Sequence, residues 1–295
     1  MNDTLKLVEV GPRDGLQNEK QTVSAAIKIE LIQRLADGGA PVVEAGSYVS
    51  PKWVPQMADT EAVLIGLKRK AGVSYPVLVP NEQGLQRAMA TGVDEIAVFT
   101  AASDAFNQKN INATVAESLV RLKPVIEQAL SKKLKVRAYV STVLGCPYQG
   151  EVAVSEVVRV SRWLVDAGCY EISLGDTIGV GTPRKARAML KAVASEVPMQ
   201  QLAVHFHDTR GSALANIFAC IEEGVRVADA SVAGLGGCPY ANGASGNVAS
   251  EDLVYMLHGM GMQTGVDLET LVETARWISG ELKREPASKL ARIRK

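Results

Sequence analysis

His205 and His207 stand two apart in the run His205-Phe206-His207-Asp208, in a chain of 295 residues with only three histidines. Alternate side chains of a β-strand share a face, so both imidazoles would project together. Two neutral imidazoles side by side suit a divalent cation. The plainer alternative is one hydrogen-bonded core histidine and one surface histidine. Asp14 and Asn247 offer oxygen ligands. Two imidazoles, a carboxylate and an amide leave room for substrate and water in an octahedral shell, which favours Mg2+ or Mn2+ over tetrahedral zinc. From spacing alone, Asp14 could equally be a helix N-cap and Asn247 a turn residue of positive φ. His258 falls in a helical pattern and reads as a surface residue without a role.

Arg13 places a permanent cation beside Asp14. Its natural task is to bind a carbonyl oxygen that becomes an enolate, or a carboxylate; a surface salt bridge is the alternative. Glu9 and Glu44 are buried acids by pattern. Buried acids seldom go unpaired, so either could orient Arg13 or a histidine, and Glu44 lies nearer the expected catalytic face. Cys238 lies in Gly234-Leu235-Gly236-Gly237-Cys238-Pro239-Tyr240, where a thiol could exchange a proton with a carbanion. Cys146 occupies a similar Gly-Cys-Pro-Tyr tetrad, so composition does not choose between them. Cys169 and Cys220 read as core cysteines.

These residues need a scaffold that gathers them. Short apolar runs near Leu5–Gly11, Val42–Gly46, Tyr75–Val79, Glu95–Thr100, Lys135–Ser141, Glu171–Asp176, Leu202–Asp208 and Val227–Leu235 alternate with segments of helical period. Ile27, Leu31 and Leu35 mark one helix, ending at Gly38-Gly39. Val115, Leu119, Leu122 and Ile126 mark another behind a Thr114/Glu117 capping box, with Pro124 expected to kink or shorten it. Val157, Val158, Leu164 and Val165 mark a third, ending at Gly168. Leu268–Leu282 reads as an additional helix, and the basic end from Lys283 as a solvated tail. Eight βα units predict an α/β fold, a TIM (β/α)8 barrel with an additional C-terminal helix; a doubly wound open sheet is the runner-up. The chain is expected to be one domain over 1–295, with the barrel at about 5–260 and the helical extension at about 265–295. No strand leads into GxGxxG or a P-loop, so nucleotide-binding alternatives lack their phosphate cradles. In a TIM barrel, strand C-termini carry the chemistry, and the unusual polar residues fall there.

Lys plus Arg and Asp plus Glu both number 32, which argues against nucleic-acid or membrane-surface binding. Apolar residues at 47% suffice for a sizeable core. No apolar run approaches the roughly 20 residues of a membrane helix. Four scattered cysteines without CxxC, and a start that runs into a strand by Leu5, predict a reduced cytoplasmic protein.

GPRDGLQNEK (11–20), SPKWVPQM (50–57), LGCPYQG (144–150), CYEISLGDTIGVGTP (169–183) and SVAGLGGCPYANGASGN (231–247) resemble the 3-hydroxy-3-methylglutaryl-CoA lyase family, over about residues 5–283. The HxHD run and Arg13-Asp14 are shared with a wider barrel group that includes isopropylmalate and homocitrate synthases; the GLGGCPYANGASGN loop separates the lyases from them. The resemblance implies that Asp14, His205, His207 and Asn247 hold Mg2+ or Mn2+, that Arg13 contacts the substrate carbonyl, and that Cys238 is the catalytic thiol of a mobile loop. Asp176 and Glu44 match acidic residues of the family's site. Gln17 is expected to touch substrate, and Lys109 and Asn110 to touch CoA. The implied reaction cleaves the acyl-CoA to acetyl-CoA and acetoacetate, in leucine catabolism or ketone-body formation. His205 or Asp14 would be the base. A homodimer is expected on the precedent of such barrels. Arg210 replaces an aromatic residue, and Ala45-Gly46 a pair of threonines, as departures expected to shift acyl preference. The ending Arg292-Ile293-Arg294-Lys295 carries no cysteine, so no thiol regulation through the tail is expected.

Overall fold

Runs rich in Val, Ile and Ala build the inner wall. A computed structural model of the chain describes residues 4–19, 21–237 and 246–293. Among these, nine strands form one sheet: β1 (Lys6–Glu9), β2 (Val42–Val43), β3 (Gly46–Ser47), β4 (Val77–Leu78), β5 (Glu95–Ala101), β6 (Lys135–Ser141), β7 (Glu171–Asp176), β8 (Leu202–Phe206) and β9 (Val227–Ala230). Every pairing is parallel, in the order β2-β1-β9-β8-β7-β6-β5-β4-β3. β2 and β3 are two halves of one expected strand, interrupted at Glu44-Ala45. Glu44 N donates to Glu9 O at 2.9 Å and Ala45 N to Pro76 O at 2.9 Å, so this stretch bonds to both ends of the sheet and closes it. The result is the expected TIM barrel.

Strands β1, β8 and β9 stop well short of their apolar patterns, each where the chain must turn a functional side chain. β1 ends at Glu9, and Gly11–Gly15 winds into a π-helical turn. β8 ends at Phe206, leaving His207 in an isolated bridge to Asn247. β9 ends at Ala230, followed by a tight 3-10 turn, Val232–Gly234, in which Ala233 takes φ 59°.

The helices are α1 (Ala25–Asp37), α2 (Thr60–Gly66), α3 (Glu82–Ala90), α4 (Asp104–Ile111), α5 (Val115–Ser131), α6 (Val154–Asp166), α7 (Pro183–Ala194), α8 (Ala213–Glu222), α9 (Ser250–Gly259), the additional α10 (Leu268–Glu281) and the short α11 (Lys289–Arg292). The capping box is present: Thr114 N donates to Glu117 Oε2 at 2.7 Å, and Glu117 N to Thr114 Oγ1 at 3.1 Å. Pro124 does not shorten α5, which continues to Ser131. Both Pro124 and Val120, whose carbonyl the proline leaves without a donor, lie on the solvent face, where water can satisfy it. The basic end is not a free tail. Ser288 Oγ and Leu290 N both donate to Asp252 Oδ1, at 3.0 and 2.8 Å, and Ala287 N donates to Ala233 O at 2.9 Å.

Two cores result. The larger lies between helices and sheet. Inside the barrel, Val8, Val10, Val42, Ala203 and Val227 form a separate apolar cluster, and Leu78, Ala97 and Tyr139 another. Further inward positions of β6 to β9 are polar: Arg137, Glu171, Ser173, His205 and Asp229. Among the described residues, no helix is long and apolar enough to cross a membrane.

Candidate metal centre and active site

The π-helical turn after β1 carries Arg13 and Asp14 over the barrel mouth. Gly11 and Gly15 make this turn possible: a Cβ on Gly11 would meet Glu9 Oε1 at 2.7 Å, and one on Gly15 would meet Ser231 Oγ at 2.6 Å. Arg13 is 6% exposed. Its Nε donates to Glu44 Oε2 at 2.7 Å and its Nη1 to Asp14 Oδ1 at 2.7 Å. Burial works against its charge, but Glu44 and Asp14 outweigh burial and hold it protonated. Glu44 is wholly buried; burial pushes its carboxyl up despite Arg13, and its Oε1 has no partner among the described residues.

Asp14, His205 and His207 each present a ligand atom within 4.8 Å of the others. Burial would raise the Asp14 carboxyl, yet Arg13, both histidines and the Asn247 amide hold it at about 2. Burial, with His205 next to it, pushes His207 down to about 4. It is therefore a neutral lone-pair donor at pH 7. His207 Nδ1 is buried without a hydrogen-bond partner among the described residues. An orphaned imidazole nitrogen, a second imidazole and an ionised carboxylate at one point fit a divalent cation.

Asn247 joins this group from the far end of the chain. Its Nδ2 donates to Asp14 Oδ2 at 2.8 Å and to Leu235 O at 3.3 Å. As placed, the nitrogen faces Asp14; a half-turn of the amide would present Oδ1 instead. Gly236, at φ +110°, makes room for it, since a Cβ there would lie 2.9 Å from Asn247 Nδ2.

Among the other expected residues, Asp176 borders the cluster, since His207 N donates to Asp176 O at 3.2 Å. Asp176 is buried and accepts from Gly181 N at 2.8 Å and Val180 N at 3.2 Å, tying the turn after β7. Gln17 lines a cavity of about 410 Å3 with Trp53, Val54 and Gln56. Lys109 and Asn110 lie on the exposed side of α4, and the Asn110 amide donates to Phe106 O at 3.0 Å. Cys238 lies outside the described residues. Cys146 is buried in its own turn, where Ser103 Oγ donates to its Sγ at 3.0 Å. Burial pushes the Cys169 and Cys220 thiols up to about 12 each, as befits core cysteines. Arg210 Nη1 donates to the Ile178 and Gly179 carbonyls at 2.7 and 3.2 Å, while Gly46 packs so closely on Thr60 that a Cβ would meet it at 2.7 Å.

Three residues at the centre were missed by sequence reasoning: Arg137, Tyr139 and Asp229. Arg137, the largest fully buried side chain among the described residues, reaches Asp229 with Nη2 at 2.6 Å and Glu171 with Nε at 2.7 Å. Tyr139 lies between two guanidinium groups, with Arg13 at 5.3 Å and Arg137 at 5.0 Å from its ring centre. The available signal was charge inside apolar strands: Arg137 in Val-Arg-Ala-Tyr-Val and Asp229 in Val-Ala-Asp-Ala.

The HMGL-like family model matches residues 4–278. The chain belongs to the HMGL-like family. An HMGL-like relative from Gallus gallus, a mitochondrial hydroxymethylglutaryl-CoA lyase, is 56% identical over 97% of this chain and 96% of its own. A Pseudomonas aeruginosa 3-hydroxy-3-isohexenylglutaryl-CoA/hydroxymethylglutaryl-CoA lyase is 54% identical over 98% of this chain and 96% of its own. The crystal structure of hydroxymethylglutaryl-CoA lyase from Pseudomonas aeruginosa superposes with a TM-score of 0.97 at 54% identity, covering 99% of this chain and 98% of that one. As a member of the HMGL-like family, the chain is a carbon–carbon lyase.

Proposed function

We propose that this lyase cleaves 3-hydroxy-3-methylglutaryl-CoA to acetyl-CoA and acetoacetate, using Mg2+ or Mn2+ held by Asp14, His205, His207 and Asn247. The observation that carries the reading is the meeting of Asp14, His205 and His207 within 4.8 Å, with the Arg13 guanidinium bonded to Asp14. A cation bound there supplies charge that lowers the pKa of the C3 hydroxyl.

The chain's own groups do the rest. The hydroxyl proton passes to Asp14 or His205. The C2–C3 electron pair moves into the thioester, forming its enolate, as the C3 oxygen becomes the ketone of acetoacetate. Arg13, held by Glu44, stabilises the enolate oxygen. Cys238 donates a proton to C2, giving the acetyl methyl group, and its thiolate regains a proton from the base through solvent. Gln17 is given a substrate contact on the family resemblance alone. Asp176 and Asn110 have local hydrogen bonds that account for them, and neither is given a step.

The reading extends to a cytoplasmic enzyme of leucine catabolism or ketone-body formation. The test is to incubate purified protein with the acyl-CoA and Mg2+ or Mn2+, and to quantify both products. Equal release of acetyl-CoA and acetoacetate supports the assignment. No release with any divalent metal, against turnover of another 3-hydroxyacyl-CoA, contradicts the substrate.

A further inference from the structure

The polar column inside the barrel ends on His205. Lys6 Nζ donates to Glu171 Oε2 at 2.6 Å, and Arg137 Nε to Glu171 Oε1 at 2.7 Å. Arg137 then grips Asp229 with both terminal nitrogens, Nη2 to Oδ1 at 2.6 Å and Nη1 to Oδ2 at 3.1 Å. Ser173 Oγ donates to Asp229 Oδ2 at 2.8 Å, and His205 Nδ1 lies 3.1 Å from the same oxygen. Asp229 and His205 are register partners on β9 and β8, so the backbone itself aligns them. Asp229 is 1% exposed and Arg137 1% exposed, so water does not compete for these bonds.

The donor count fixes the proton. Arg137 meets both Asp229 oxygens, at 2.6 and 3.1 Å, and this bidentate pairing with a permanent cation is the partner of an ionised carboxylate. An ionised carboxylate only accepts hydrogen bonds. The His205 nitrogen facing it must therefore carry the hydrogen, which leaves the lone pair on Nε2. That nitrogen points the other way, 3.7 Å from Asp14 Oδ2. His207 has no such partner among the described residues, its Nδ1 being unbonded.

We propose that Asp229, clamped by Arg137 and Ser173, is a positioning residue that holds neutral His205 in its Nδ1–H tautomer and so presents Nε2 to the cation site. This rests on the reading of Asp14, His205 and His207 as ligands. A carboxylate behind a ligand histidine orients the ring and strengthens its lone pair. The contribution of Arg137 is to keep a carboxylate ionised where burial would otherwise neutralise it.

Asp229→Asn changes little volume but reverses the tautomer. Either position sets the new amide nitrogen against an Arg137 donor, at 2.6 Å for Oδ1 and 3.1 Å for Oδ2, so the nitrogen takes the longer contact at Oδ2. From there it donates to Ser173 and His205, forcing the proton onto Nε2.

The experiment reads 15N-labelled histidine signals of metal-free protein at a pH where His205 is neutral, with His205→Gln identifying the resonance among three histidines. Wild type is expected to show Nδ1–H and Asp229→Asn to show Nε2–H. Mn2+ titration is expected to give a Kd roughly ten- to a hundredfold weaker in the variant. Wild-type His205 in the Nε2–H form overturns the proposal, and this arm needs no folded variant. A variant that keeps the Nδ1–H form and binds Mn2+ within twofold of wild type also overturns it. A wild type that takes up no Mn2+ contradicts the ligand reading instead, while the tautomer result still tests Asp229 independently.

Discussion

Asn247 Nδ2 lies 2.8 Å from Asp14 Oδ2, although 233 residues separate the two in sequence. The bond joins the turn after the first strand to the loop after the last, across the seam between β1 and β9. The candidate cation site therefore forms only when the barrel has closed, and its ligands report on that closure.

Gly236→Ala is expected to damage this seam. The added methyl needs a left-handed backbone, and it would lie 2.9 Å from Asn247 Nδ2. The expected outcome is a stability loss of about 1–3 kcal/mol, with a weaker Mn2+ Kd. Denaturant unfolding and metal titration on the same preparation check both parts. Unchanged values in each would show that the seam does not govern the site.

Arg13→Gln removes the cation assigned to the enolate oxygen. We expect kcat to fall about 10²–10³-fold with KM little changed. The fold should persist, because Glu44 already tends toward its protonated form and can go neutral when its partner is lost. Steady-state kinetics beside a thermal melt distinguish this from unfolding; a purely raised KM would place Arg13 in substrate binding alone.

Glu9 supplies a pH prediction independent of the reaction. Its carboxyl accepts from Gly11 N at 2.7 Å, Val232 N at 2.9 Å and Ser250 Oγ at 2.5 Å, bracing the base of the last loop. Burial nevertheless raises it from 4.5 to about 7. The folded state therefore binds this proton more tightly than the unfolded chain. The associated stability is fully present below about pH 4.5, declines as pH rises, and is gone above about pH 7. Glu9→Gln keeps the shape and removes the titration. Wild type should lose on the order of 3 kcal/mol relative to the variant between pH 4.5 and 8, read by chemical unfolding across that range. Parallel pH curves for the two proteins would contradict this account.

Much of this arrangement was legible in the sequence, for physical reasons that can be named. Parallel strands buried on both faces read as apolar runs, so all eight were found, including the one that splits at Glu44-Ala45. His205 and His207 were legible because period two places them on one face. The strand ends were not: the turns at Gly11–Gly15 and Val232–Gly234 are made of residues equally at home in extended chain. Asp229 and Arg137 were missed because each is a single charge in an apolar strand, and only the register of β6 to β9 shows that they meet. Pro124 misled because its exposure, which makes it harmless, is a property of the packed helix.

The central claim is that Asp14 and its neighbours hold a cation on which cleavage of 3-hydroxy-3-methylglutaryl-CoA depends. Its most direct test measures acetoacetate release by chelator-treated protein, before and after adding Mn2+ or Mg2+, for wild type, Asp14→Asn and Cys238→Ser. The account predicts no release without metal and full recovery with it in wild type. It predicts at least about a hundredfold less in Asp14→Asn at the same metal concentration, and a comparable loss in Cys238→Ser with metal affinity intact. Equal turnover with and without metal, or an Asp14→Asn enzyme as active as wild type, would contradict it.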